Sequence, residues 1–173
     1  MTEAGNAWNN LMTASDASFL QSYEWAKLQE AVDRRVNFLA KNSCSGLLIT
    51  YPLRFGKNYI YSPRGPDFTG NNDLDLNSLE EFLKEAENSS GEDSIFLRIE
   101  PGAGNPENNS IISNNLRRLG FKKTAEVQPE QTRILDLEKP EPVLLKEMEH
   151  DTRYAIRAAL RRGVTITKLK TTE

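Results

Sequence analysis

Directly after an apolar stretch at 58–61, the chain reads Ser62-Pro-Arg-Gly-Pro66. Proline has no N–H to give to a sheet ladder, so two prolines around a glycine end a strand firmly. The segments ahead of that break read as strands at 35–40, 47–53 and 58–61. The first two flank a turn at Asn42-Ser-Cys-Ser-Gly46. A helix over 15–31 precedes them, with Asp16 or Ser18 as its cap.

Beyond the break the pattern becomes strand–helix alternation. Ser78-Leu-Glu-Glu81 reads as a capping box, in which the serine oxygen and the glutamate each satisfy a free backbone N–H. The helix it opens carries Leu79, Phe82, Leu83 and Ala86 on one face. An apolar strand at 94–99, interrupted by Arg98, stops at Glu100-Pro101. A second helix follows with Ile111, Ile112, Leu116 and Leu119 on its buried side, and Gly120 ends it. A further strand is expected at 134–137. After Pro140 come two charged helical segments. Val143, Leu144 and Met148 form the stripe of the first, and residues 154–160 the second, with Asp151 as its cap. Gly163 ends that helix, and 164–167 begins a strand. Strands first and strand–helix alternation afterwards define an α/β or α+β domain with a central mixed sheet and helices on its faces.

Several chemistries are excluded. The net charge of -3 argues against a protein that coats nucleic acid generally. Cys44 is the sole cysteine, so no internal disulfide forms. His150, the sole histidine, sits among Glu147, Glu149 and Asp151 as a solvated surface residue. Neither a Cys-x-x-Cys nor a His-Glu-x-x-His occurs, so no metal site is expected. Asp73-x-Asp75-x-Asn77 resembles the opening of a calcium loop. Its sixth position is Ser78 rather than glycine and its twelfth is Lys84 rather than glutamate, which rules calcium out. The N-terminus lacks a secretory pattern and no apolar run approaches the roughly 20 residues of a membrane span, so a cytoplasmic location is expected. In acetyltransferases of the GNAT class, a loop placed like Gly102-Ala-Gly104 binds the coenzyme A pyrophosphate. Here Glu100 and Glu107 flank it, and no Arg or Lys lies between Pro101 and Ser113. The topology suits a GNAT-like fold, while the carboxylates would repel acetyl-CoA.

Six segments, in order, carry a resemblance. They are Leu20-Gln-Ser-Tyr-Glu-Trp-Ala-Lys27, Tyr61-Ser-Pro-Arg-Gly-Pro66, Leu97-Arg-Ile-Glu-Pro101, Leu119-Gly-Phe121, Val127-Gln-Pro129 with Thr132-Arg-Ile-Leu-Asp-Leu137, and Thr152-Arg-Tyr-Ala-Ile-Arg157 through Gly163-Val164. Together they resemble the Fem family of peptidoglycan-bridge aminoacyltransferases, over nearly the whole chain. The resemblance implies two tandem GNAT-like subdomains, of which this chain covers a truncated first part. Residues 1–139 would form the N-terminal subdomain, and 140–173 the helical crossover and first strand of a second. It also implies transfer of an amino acid from aminoacyl-tRNA to the stem peptide of lipid II or a soluble UDP-linked muropeptide. Neither a metal nor an organic cofactor is implied, the tRNA being a co-substrate.

By the same resemblance, Lys27 falls on a lysine that contacts the precursor's phosphates, a suitable task for a compact ammonium. A solvated helix lysine is the alternative. Glu100 falls on an acidic residue before proline, usually aspartate, near the precursor; capping the 102 loop is its alternative. Arg98 is expected to pair with Glu100 or Asp136, and Arg64 to be exposed or at the mouth of the cleft. Both stand as substrate-binding candidates. Arg153, Arg157 and Arg161 lie four apart on one helix face. They read either as a solvated face paired with Glu147, Glu149 and Asp151 or as a strip for tRNA phosphates. Catalytic residues are expected largely in a second half. The docking face for that half, left exposed, predicts self-association. Two rival readings remain, a GNAT-type N-acyltransferase using an acyl thioester and a non-catalytic binding or assembly module.

Overall fold

Two helices, five strands and a crossover helix build the sheet and its two faces. The structure is a computed structural model that describes residues 2–68, 75–101, 106–129 and 135–167. The chain divides into two compact units, Met1–Glu130 and Gln131–Glu173.

In the first unit, helix α1 (Glu3–Ala14) is capped by Thr2, whose side chain accepts from the Gly5 N–H. Trp8 and Met12, one turn apart, are its buried residues along with Gly5. A Cβ on Gly5 would lie 2.8 Å from the Tyr23 ring, so only glycine lets the helix approach so closely. The helix expected over 15–31 is broken. Ser18 caps a single 3-10 turn (Phe19–Gln21), and Ser22 then caps α2 (Tyr23–Ala31) by accepting from the Trp25 N–H. The short polar side chains at 18 and 22 thus restart the helix rather than extend it.

Strands β1 (Val36–Lys41), β2 (Cys44–Pro52) and β3 (Asn58–Ser62) form an antiparallel meander. The two-residue β4 (Asp67–Phe68) returns to pair with the start of β2. Helix α3 (Leu76–Asn88) then crosses over to β5 (Ser94–Ile99), which lies parallel to β3. The sheet order is β1-β2-β3-β5. Among the described residues the result is a mixed five-stranded sheet flanked by helices, the α/β class expected.

Strand β2 is buried on both faces. Cys44 and Leu48 join Leu79, Phe82, Leu83 and Ala86 of α3, whereas Leu47 and Ile49 join Trp8, Met12 and Ala26 of α1 and α2. Alternate residues of one strand therefore feed two separate cores. Burial raises the Cys44 thiol far above its ordinary value, with Asp67 and Asp75 adding to the shift, so it is a packing residue rather than a nucleophile.

Several sequence expectations need correction. Asp75, not Ser78, caps α3, accepting from the Asn77 and Ser78 N–H groups. Ser78 is fully buried inside the helix and its hydroxyl donates to Asp75. On α4 (Pro106–Arg118), Ile112 and Asn115 are buried, while Ile111 and Leu119 are largely exposed. In the second unit, α5 (Glu141–Glu147) and α6 (His150–Arg161) match the two helical segments. Asp151 lies in the first turn of α6 rather than at its cap. Residues 135–137 and 164–167 form no strand. The loop 102–105, the run 70–74, Ile134 and residues 132–133 lie outside the described residues.

One buried amide ties the first unit together. Gln21 is fully buried, accepts from the Leu47 N–H at 2.6 Å and donates to the Pro63 carbonyl, while its own carbonyl accepts from Trp8 Nε1 at 2.7 Å. Gln21→Leu keeps the volume but strands a buried N–H and a buried C=O. It should cost about 3 kcal/mol, read as a lower urea midpoint with unchanged slope.

Asp67 supplies a pH test of the same core. It is buried, its Oδ2 has no hydrogen-bond partner, and burial, with Asp16 adding, pushes its carboxyl from 3.8 up to about 7. The folded state therefore holds a proton that the unfolded chain releases near pH 4. Stability from this group is complete below that value and is lost as pH rises toward and through 7. Thermal melts should show the midpoint falling between pH 5 and 8. Asp67→Asn should flatten that fall and recover a few kcal/mol at pH 8.

Candidate functional site

Parallel pairing brings the ends of β3 and β5 side by side, with Tyr61 opposite Arg98 and Ser62 opposite Ile99. The carboxyl ends of adjacent parallel strands are where ligands collect in such sheets, because the crossover connections leave a crevice there. The Ser62-Pro-Arg-Gly-Pro66 turn stands at this edge, held by the Glu100 N–H donating to the Gly65 carbonyl at 2.8 Å. A Cβ on Gly65 would come within 2.6 Å of Gln21 Nε2, so the turn seats directly on the buried amide. Arg64 takes a left-handed conformation, with φ of 52°. A non-glycine residue stays in that region only where its surroundings hold it.

Glu100 is the centre of the cluster. Its Oε2 accepts from the Tyr61 hydroxyl at 2.7 Å and from the Arg64 N–H at 3.4 Å. Its Oε1 accepts from the Val127 N–H at 3.0 Å and the Gln128 N–H at 3.4 Å. Burial alone would push this carboxyl up. The bonds from Tyr61 and from the three amides outweigh it and hold the group below its ordinary 4.5. Every one of these donors is neutral, so the carboxylate is stabilised without being cancelled.

The two arginines of the site point to the same segment. Arg98 donates to the Ala125 carbonyl and Arg64 to the Pro129 carbonyl. The expected pairing of Arg98 with Glu100 or Asp136 is thus replaced, among the described residues, by a neutral carbonyl partner that takes one of its five N–H donors. Arg64, Arg98 and Glu100 meet, together with Tyr61 and Gln128.

Lys27 lies apart from that cluster in its contacts. Its ammonium pairs with Glu30 at 2.5 Å and lies 5.3 Å from the centre of the Tyr23 ring, with half of the side chain exposed. The hydrogen bond to Glu30 raises its pKa, so it is a cation throughout the neutral range. In the second unit Arg153 donates to the Lys146 and Met148 carbonyls, and Arg161 lies 5.9 Å from the centre of the Tyr154 ring. Two of the acids expected to pair with this face, Glu147 and Asp151, have other partners. Glu147 holds Lys139 at 3.0 Å and Asp151 lies 3.2 Å from His150. Among the described residues no group of histidine, cysteine and acidic side chains is placed to hold a metal ion. Nor is any helix there long and apolar enough to cross a membrane.

Sequence reasoning passed over Tyr61 and Gln128. Tyr61 reads only as the last residue before the turn, and the contacts it makes lie 39 and 67 residues away. No spacing rule links positions that far apart.

The cluster thus places a strand-end carboxylate beside a proline–glycine turn, on a mixed sheet flanked by helices. The model of the FemAB family matches residues 6–173, and the protein belongs to that family. Its members are aminoacyltransferases of the peptidoglycan bridge, which fixes the class of activity at the level of the family. A search of curated proteins found no match.

The four donors around Glu100 generate a stability test. A carboxyl whose folded pKa is depressed contributes above its ordinary value and loses that contribution as pH falls through the folded one. Wild type should therefore lose stability on acidification below about 4.5 in a way that Glu100→Gln does not. At pH 7 the same substitution should cost about 1–3 kcal/mol, because its NH2 faces a donor. Urea titrations at pH 7 and pH 4 measure both effects.

Proposed function

We propose that the chain forms the precursor-binding N-terminal part of an aminoacyltransferase. That enzyme moves an amino acid from aminoacyl-tRNA to the stem peptide of a peptidoglycan precursor. The observation that carries the reading is the placement of Glu100, a carboxylate at the paired ends of β3 and β5 that takes neutral donors and has no ion-pair partner among the described residues. Such a group suits the amine of a stem peptide, which arrives as an ammonium, is oriented there, and must release one proton to water before it attacks.

The reaction joins that amine to the carbonyl of the aminoacyl ester and expels the tRNA hydroxyl. The ester is already activated, so once the amine is free, positioning, oxyanion stabilisation and transfer of its second proton to the departing tRNA oxygen suffice. Neither a metal nor an organic cofactor takes part, and aminoacyl-tRNA is the co-substrate. Lys27 would meet the phosphates of a UDP-linked muropeptide or of lipid II. Arg64 and Arg98 each use a donor on a backbone carbonyl, and the remaining N–H groups of a five-donor guanidinium are left for the precursor. Arg153, Arg157 and Arg161 would meet tRNA phosphates, each contact adding salt-dependent affinity.

The architecture that goes with this reading is a pair of GNAT-like subdomains working in the cytoplasm. Leu160 of α6 is 69% exposed, an apolar side chain available to a second subdomain.

Calorimetric titration with UDP-linked muropeptide tests the reading. Lys27→Ala should weaken saturable binding about tenfold, roughly 1.4 kcal/mol. Glu30→Gln should strengthen it two- to threefold, about 0.5 kcal/mol, by releasing the ammonium from its carboxylate. A folded sample that gives no heat at high micromolar ligand would sink the soluble-precursor form of the proposal.

A further inference from the structure

Four groups hold Glu100, and they are not equivalent. Arg64 offers its N–H from a turn, and Val127 and Gln128 offer theirs from a segment with no regular structure. Tyr61 alone belongs to a strand, β3, in the interior of the sheet, and is only 3% exposed. Its bond is also the shortest of the four, 2.7 Å against 3.0–3.4 Å. A glutamate has three side-chain torsions to fix, and a partner on a rigid strand fixes them better than partners on loops.

The direction of the Tyr61 proton is itself set. Gln128 Nε2 donates to the phenol oxygen at 3.3 Å. An amide NH2 has no lone pair with which to accept, so the single phenolic proton is left for Glu100. Burial first, and then the bond to Glu100, raise the phenol's pKa well above its ordinary value, which keeps it a donor at every pH where the site is used. The ring is fixed from the other side by an edge-on contact with Tyr51, with centroids 5.9 Å apart.

We propose that Tyr61 is the positioning residue of the precursor site, acting through Glu100, with Gln128 directing its proton. The inference rests on the reading of Glu100 as a group that meets the precursor. Tyr61 sets where that carboxylate stands and keeps it charged; it does not itself touch the reacting atoms.

Tyr61→Phe preserves the packed ring and removes only the hydroxyl. Two readouts are taken on the full chain, the titration of the Glu100 carboxyl by carbon NMR and the affinity for UDP-linked muropeptide as a function of pH. The hydroxyl's loss should move the Glu100 titration upward and carry the acid limb of binding with it. Affinity at pH 7 should fall about tenfold, near the lower end of the worth of one hydrogen bond to a charged group. Gln128→Leu should move both readouts in the same direction by less. An affinity loss with neither the titration nor the acid limb displaced would mark Tyr61 as merely structural and overturn the proposal. Wild-type binding by Tyr61→Phe, alongside lost binding by Glu100→Gln, would overturn it while leaving the Glu100 reading intact. Unchanged binding by Glu100→Gln would remove that reading, and the inference with it.

Discussion

The side-chain amide of Gln21 sits where three parts of the first unit converge, and the site depends on it. Its oxygen accepts from β2 at Leu47, its nitrogen donates to the Pro63 carbonyl, and Gly65 comes so close that no Cβ fits between them. A buried amide with both ends satisfied specifies geometry in a way that apolar packing does not, since each bond has a direction. The proline–glycine turn is therefore referenced to the sheet through a residue from the helical N-terminal segment. Arg64 and the Gly65 carbonyl that meets the Glu100 N–H inherit their positions from that arrangement.

Among the described residues the donors around Glu100 are neutral, and that separates two roles that a salt bridge would merge. A guanidinium partner would have fixed the carboxylate and also cancelled its charge. Here the two nearby arginines are turned to the Ala125 and Pro129 carbonyls, so they fix the 125–129 segment while the carboxylate keeps its field. The chain thus builds a negative centre with cations beside it but not on it.

Much of this was legible in the residues, for reasons that differ by element. β1, β2, β3 and β5 announce themselves by apolar runs bounded by turn residues, and α3 by a strong one-sided stripe. α1 carries few apolar residues in an asparagine-rich stretch, and the pattern at Trp8 and Met12 is too sparse to stand out. The broken helix at Ser22 and the cap at Asp75 reflect competition among neighbouring short polar side chains, each able to bond an N–H. Lys27 and Glu100 came through resemblance to a family, and Arg64 through its place in the proline–glycine turn. The partner expected for Arg98 was a carboxylate, because a carbonyl 27 residues away leaves no trace in composition. Tyr61 and Gln128 were invisible for the same reason: their role exists only once β3 and the 125–129 segment lie together.

Because β2 lends alternate side chains to both cores, the protein has no way to lose one core and keep the other whole. Opening the helical N-terminal face exposes Leu47 and Ile49, and the strand that carries them also carries Cys44 and Leu48 into the opposite face. Partial opening is thereby made costly at the centre and left cheap only at the edges, as with the exposed side of α4. The first unit should melt in one step, so the ligand edge at β3 and β5 survives or disappears with the entire sheet.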